Sequence, residues 1–149
     1  MSRLSVRSIT GRWCTVAEPT PVVRAVTYER DRERCCSCGA RVALQYQHRQ
    51  ATGMGGSKVR PRYEQGVTTC AVCNPRYESD LQSKALACGW KVRGWVKDCT
   101  AVPVFYAPEL TWYELTADGR RLAITPVRAS AMMRDVYGAE YEAWVEAAA

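Results

Sequence analysis

Two Cys-x-x-Cys pairs, Cys35/Cys38 and Cys70/Cys73, flank the chain's single histidine, His48. Each pair can fold as a chelating turn, and four thiolates on two such turns suit tetrahedral Zn²⁺ at about 2.3 Å per sulfur. A four-sulfur site leaves no coordination position for substrate, so the predicted zinc is structural. Gly39, directly behind the first pair, supplies the left-handed backbone that a knuckle requires. Of the remaining cysteines, Cys36 lies inside the first pair while Cys14, Cys88 and Cys99 are scattered singly among apolar neighbours. These four are read as small core residues. A disulfide framework would belong to a secreted chain. Residues 1–7 hold no apolar run of signal-peptide length and no segment approaches a membrane span, so a cytoplasmic setting with no membrane partner is expected.

Charge is distributed as unevenly as the cysteines. The net charge is +6, yet residues 41–62 carry Arg41, Arg49, Lys58, Arg60 and Arg62 with no acid among them. After Arg134 the sign reverses, with Asp135, Glu140, Glu142 and Glu146 and no base. A basic middle is the expected place for phosphate. Inside it, Gly53-Met54-Gly55-Gly56-Ser57 can bring backbone close to a ligand and form an anion seat between arginines. With 47% hydrophobic residues, five tryptophans and eight tyrosines, the composition argues against a disordered chain.

The elements that must hold these residues follow from pattern. The first 26 residues read as short strands or loops, interrupted by Pro19 and Pro21, and residues 25–34 as a charged helix. Residues 42–48 read as a strand with Leu44, Tyr46 and His48 on one face. Asn74 as N-cap and Pro75 at the first position predict a helix to Cys88, stopped by Gly89. Residues 90–96 alternate, and residues 112–115 and 121–124 predict a hairpin about Asp118-Gly119. From Ser130 onward, Met133, Val136, Tyr137, Tyr141, Trp144 and Val145 recur at helical spacing, with Gly138 as a weak point.

Taken together, Arg30-Asp31, Cys35-x-x-Cys38-Gly39, Gln47-His48-Arg49 followed by the glycine-rich string, and Cys70-x-x-Cys73 resemble the HNH endonuclease family. The resemblance is to the small zinc-pinned type common in bacteriophages of actinobacteria. It continues through Gly89-Trp90-x-Val92, Val102-Pro103-Val104 and the hairpin, spanning roughly residues 25–125. It implies an α+β fold: a zinc-pinned ββα-metal, treble-clef-like core with an added β-hairpin and a C-terminal helix. The corresponding division is an N-terminal extension (1–24), a zinc-bound core (25–97), the hairpin (98–125) and an acidic amphipathic helix (126–149).

In that family a histidine deprotonates water attacking a metal-bound phosphodiester, and His48 matches that base. The family's middle asparagine falls on Gln65, and its metal-ligand histidine on Asn74, giving an H-Q-N signature. Glu78, one helical turn beyond Asn74, would complete an oxygen pair for Mg²⁺ or Mn²⁺. Arg49, Lys58, Arg60 and Arg62 would meet phosphate. Two readings stay open: a metal-dependent DNA endonuclease, or a DNA-binding protein whose cleavage is weak or lost. A non-catalytic module holding a host or phage protein, through the zinc scaffold and the C-terminal helix, is the alternative, and Tyr and Trp on that helix suit a partner or homodimer surface. The expected location is the cytoplasm, the host's if the chain is phage-encoded.

Overall fold

The first helix begins where Thr20 meets Pro21. The computed structural model describes residues 17–51 and 59–149. Helix α1 (Pro21–Arg30) is capped by the Thr20 hydroxyl, which accepts the Val23 N–H at 3.2 Å, and Pro21 occupies the first turn, where no N–H is needed. Pro21 therefore starts the helix that the sequence reading placed four residues later. Beyond it, Arg32 and Glu33 take positive φ, 58° and 52°, a conformation non-glycine residues seldom adopt. Asp31 pins that tight turn. Its carboxylate pairs with Arg30 (2.7 Å) and accepts the Thr68 N–H (2.8 Å) and the Tyr106 hydroxyl (2.6 Å). Arg30 spends its other donors on the carbonyls of Tyr63 and Gly66, so the buried pair is fully hydrogen-bonded.

Strands β1 (Leu44–His48) and β2 (Gly66–Cys70) form an antiparallel hairpin, with Leu44 opposite Cys70 and His48 opposite Gly66. β2 is buried along its whole length. Gly66 is needed because a Cβ there would sit 2.0 Å from the Tyr46 ring.

The expected single helix after the second knuckle is two pieces, α2 (Cys73–Arg76) and α3 (Gln82–Ala87). Asn74 lies within α2 and does not cap it. The break has a local cause. Ser79 and Asp80 turn back onto Arg76, and the Leu81 N–H reaches the Arg76 carbonyl at 2.9 Å, giving the backbone an alternative to the helical ladder. Gly89 does end the second piece, at φ +72°, with the Pro103 carbonyl where a Cβ would stand.

Residues 90–96 are irregular. Trp90, Val92 and Val96 are buried, but Gly94 and Trp95 lie in a turn, so the alternation marked burial without a ladder. The hairpin forms as β4 (Thr111–Leu115) and β5 (Arg121–Ile124), joined by β3 (Val104–Tyr106) in the order β3-β4-β5. Helices α4 (Pro126–Tyr137) and α5 (Ala139–Ala148) follow, separated at Gly138.

Two buried clusters organise the molecule. In the first, Cys35, Cys36, Val67, Tyr77 and Trp90 pack with Val104, Tyr106 and Leu115, so the knuckles and the three-stranded sheet share an interior. In the second, Met133, Tyr137, Tyr141 and Trp144 close over Leu86, Ala87, Val92 and Val102. The aromatic stripe of the C-terminal helices is thereby covered by the chain's own core. The protein is thus mixed α+β with small sheets. Among the described residues no helix is long and apolar enough to cross a membrane.

Candidate metal centre and nucleic-acid interface

The hairpin register brings the two knuckles together. Cys70 ends β2 beside the start of β1, and the Ala71 N–H continues the pairing onto the Ala43 carbonyl at 3.0 Å. The first knuckle closes through Gly39 N–H to the Cys35 carbonyl (2.9 Å), with Gly39 at φ +80°. The Sγ atoms of Cys35, Cys38, Cys70 and Cys73 all lie within 4.8 Å of one another, and Cys38 and Cys70 are 3.7 Å apart. A tetrahedron with Zn–S distances of about 2.3 Å has S···S edges of about 3.8 Å. Soft sulfur donors in that arrangement fit zinc, so the chain carries a four-cysteine cluster compatible with a zinc site.

The surroundings already favour thiolate at one corner. Burial pushes the Cys35 thiol up, but the Ser37 hydroxyl, the Ser37 and Cys38 amides and the Thr69 hydroxyl outweigh it and bring it down to about 6. Burial drives Cys73 the other way, to about 12. Among the described residues no other set of three or more His, Cys, Asp or Glu converges in this way. Cys36 and Cys99 are buried core residues and Cys88 is half-buried; Cys14 lies outside the described residues.

His48 stands at the opposite end of the hairpin, about 13 Å along the strand from Leu44. Its ring meets Tyr46 edge-on at 5.3 Å, as the predicted shared face requires. Its Nε2 is 2.9 Å from the Ala17 carbonyl oxygen, so Nε2 carries a proton and donates to it. The lone pair of the neutral ring is then on Nδ1. A cleft of about 280 Å³ opens here, lined by His48, Ala17, Gln50, Arg60, Pro61 and Gln65. Gln65 accepts the Arg62 N–H on its side chain (2.8 Å) and the Arg49 N–H on its carbonyl (2.8 Å). It braces the loop at this end of the hairpin. Arg60 and Arg62 are exposed. Lys58 and the string Gly53 to Ser57 lie outside the described residues.

Arg49 departs from the expected role. It is fully buried, and its guanidinium donates to the carbonyls of Gly89, Glu64, Cys99 and Val102 at 2.7–3.0 Å. It follows His48 at the end of the strand and turns inward, so it joins three chain segments and is closed to phosphate.

Asn74 and Glu78 are also placed apart from His48. The Asn74 amide donates to the Gln45 side chain at 2.8 Å, and Gln45 points to the face of the hairpin opposite to His48. The Thr69–Tyr77 hydrogen bond at 3.3 Å fixes α2 against that same face, while Thr27 of α1 bonds Thr68 on the His48 side. Glu78 forms an ion pair with Lys91. The oxygen pair expected for Mg²⁺ or Mn²⁺ therefore does not assemble beside His48, and these residues do not fit that ion.

Two features of the cleft had no signal in the sequence. A backbone carbonyl such as that of Ala17 leaves no residue-type signature. Gln50 is an ordinary glutamine until the fold sets its amide against the carbonyls of Arg93 and Val96. Comparison with family models, curated proteins and solved structures found no match for this chain.

Proposed function

We propose that this chain is an HNH-endonuclease-like zinc protein of the kind found in bacteriophages. It binds DNA through the basic segment after His48, and its metal-dependent phosphodiester cleavage is weak or lost. In this reading Cys35, Cys38, Cys70 and Cys73 hold a structural Zn²⁺, which pins one end of a ββα-type hairpin and takes no part in chemistry. His48 stands at the other end beside Arg60, where a phosphate would be neutralised.

One observation carries the loss of cleavage: Asn74 and Glu78 are committed to Gln45 and Lys91, away from His48. A histidine base without a convergent divalent ion lacks the charge stabilisation that makes such cleavage fast, a contribution worth several kcal/mol.

A supercoiled-plasmid nicking assay with Mg²⁺, Mn²⁺ and Ni²⁺, run beside His48→Ala, tests the reading. The expected result is salt-dependent DNA binding with nicking at or near the level of the variant. Rapid metal-dependent nicking that His48→Ala abolishes would show a competent site. Absence of DNA binding would turn the reading toward a protein-binding module.

A further inference from the structure

We infer that Trp95 is a stacking platform for an unpaired nucleobase, so that the surface beside His48 takes single-stranded or locally unpaired nucleic acid. This rests on the nucleic-acid reading above and adds the state of the strand. Residues 93–96 form a turn closed by the Val96 N–H on the Arg93 carbonyl at 3.1 Å. The Gln50 amide donates to both ends of that turn, to Arg93 O at 3.1 Å and Val96 O at 2.6 Å. The Val92 N–H bonds the Arg49 carbonyl at 2.7 Å. A residue that lines the His48 cleft thus holds the Trp95 turn in place.

The ring itself is set apart from the other tryptophans among the described residues. Trp90 and Trp144 are buried and Trp112 is half-buried, whereas Trp95 is 59% exposed. Its one ring–ring contact among the described residues is with Tyr137, at 5.6 Å and 83°, and the Tyr137 hydroxyl accepts the Arg93 N–H at 3.3 Å. The indole is therefore anchored while most of its surface stays open. An aromatic ring fixed in advance loses little freedom on binding.

The charges around it select the partner. Lys97 is exposed on the same segment, Arg60 lines the cleft, and the Arg62 side chain is 70% exposed. Arg62 also lies close enough to Asp98 for its charge to add to the Thr100 hydrogen bonds that hold that carboxyl low. Cations for the backbone beside one open aromatic ring are how a single strand is held without reading its sequence. Paired bases are already stacked within a duplex and do not present their faces to such a ring.

The test compares binding of a labelled oligothymidylate and a duplex of equal length to the zinc-loaded full chain at one salt concentration. The single strand should bind tighter and quench tryptophan emission. Trp95→Ala should weaken single-strand binding roughly tenfold and leave duplex binding unchanged. Trp95→Phe, which keeps a ring against Tyr137, should retain most of the binding while losing the quench. Equal effects of Trp95→Ala on both ligands, or none on either, would overturn the platform and leave the nucleic-acid reading standing. A chain that binds neither ligand would overturn both.

Discussion

Arg49 and Arg60 share an acid-free stretch of sequence, and the fold gives them opposite tasks. Arg49 satisfies four buried carbonyls from three segments. Hydrogen bonds to a charged group contribute about 1.5–3 kcal/mol each, and orphaned carbonyls add a penalty. Arg49→Ala should therefore cost at least about 3 kcal/mol in urea unfolding, with Arg49→Lys only a partial rescue because an ammonium lacks the planar fork. Arg60→Ala should change stability by no more than about 0.5 kcal/mol and act on DNA affinity. Equal stability losses for the two would contradict this division. Residue types and spacing made the four cysteines legible, because chelation is encoded by a two-residue spacer and a following glycine. The task of Arg49 was not legible, since counting charge does not say which cation turns inward at the end of a strand.

The strap over His48 belongs to the scale of elements. Ala17 meets the histidine, the Glu18 carbonyl accepts from Arg60 at 3.5 Å, and the Glu18 carboxylate pairs with Arg24 of α1 at 2.9 Å. Removing residues 1–18 leaves the Thr20 cap intact and should expose the chain's single histidine. Its rate of modification by diethylpyrocarbonate should rise several-fold, and an unchanged rate would mean that the strap does not shield it.

A second latch joins the hairpin to the chain before the first knuckle. Glu109 contacts Arg121 at 2.5 Å, Arg32 at 3.3 Å and Arg34 at 3.7 Å. Burial raises the Glu109 carboxyl, but the three arginines outweigh it and hold it below its ordinary 4.5. A depressed folded-state value stabilises above the unfolded pKa, and that contribution is lost as pH falls through the lower folded value. Glu109→Gln should thus cost about 1–2 kcal/mol at neutral pH and flatten the acid limb of the stability profile below about pH 4.5. A parallel acid limb in the variant would place the titration elsewhere. Elements with local signals were readable in advance: the hairpin from its Asp118-Gly119 turn, and the helix end from Gly89. The split between α2 and α3 was not, because it depends on Ser79 and Asp80 competing for backbone bonds while Tyr77 is drawn into the core.

At the scale of the whole molecule, three of the four clustered cysteines, Cys35, Cys70 and Cys73, sit within the interior that the knuckles share with the three-stranded sheet, while Cys38 is exposed. Metal removal should therefore propagate through the fold. The account predicts about one zinc per chain, and a strong chelator or Cys73→Ser should unfold both buried clusters together. A metal-free chain with an unchanged unfolding curve would separate the cluster from stability. The C-terminal helices illustrate why the remaining organisation was hard to read. Their aromatic stripe is visible in sequence, but whether it meets a partner or the chain itself depends on α3 and residues 92–102, which show no complementary pattern.

The central claim is that a zinc-held hairpin presents cations to nucleic acid, and it is tested most directly by titrating affinity against salt. The zinc-loaded chain should bind duplex DNA with log affinity falling linearly in log salt, by about one slope unit per phosphate contact. Arg60→Ala and Arg62→Ala should each reduce the slope by about one unit without altering sequence preference. An affinity that does not respond to salt, or a slope untouched by either substitution, would contradict the account.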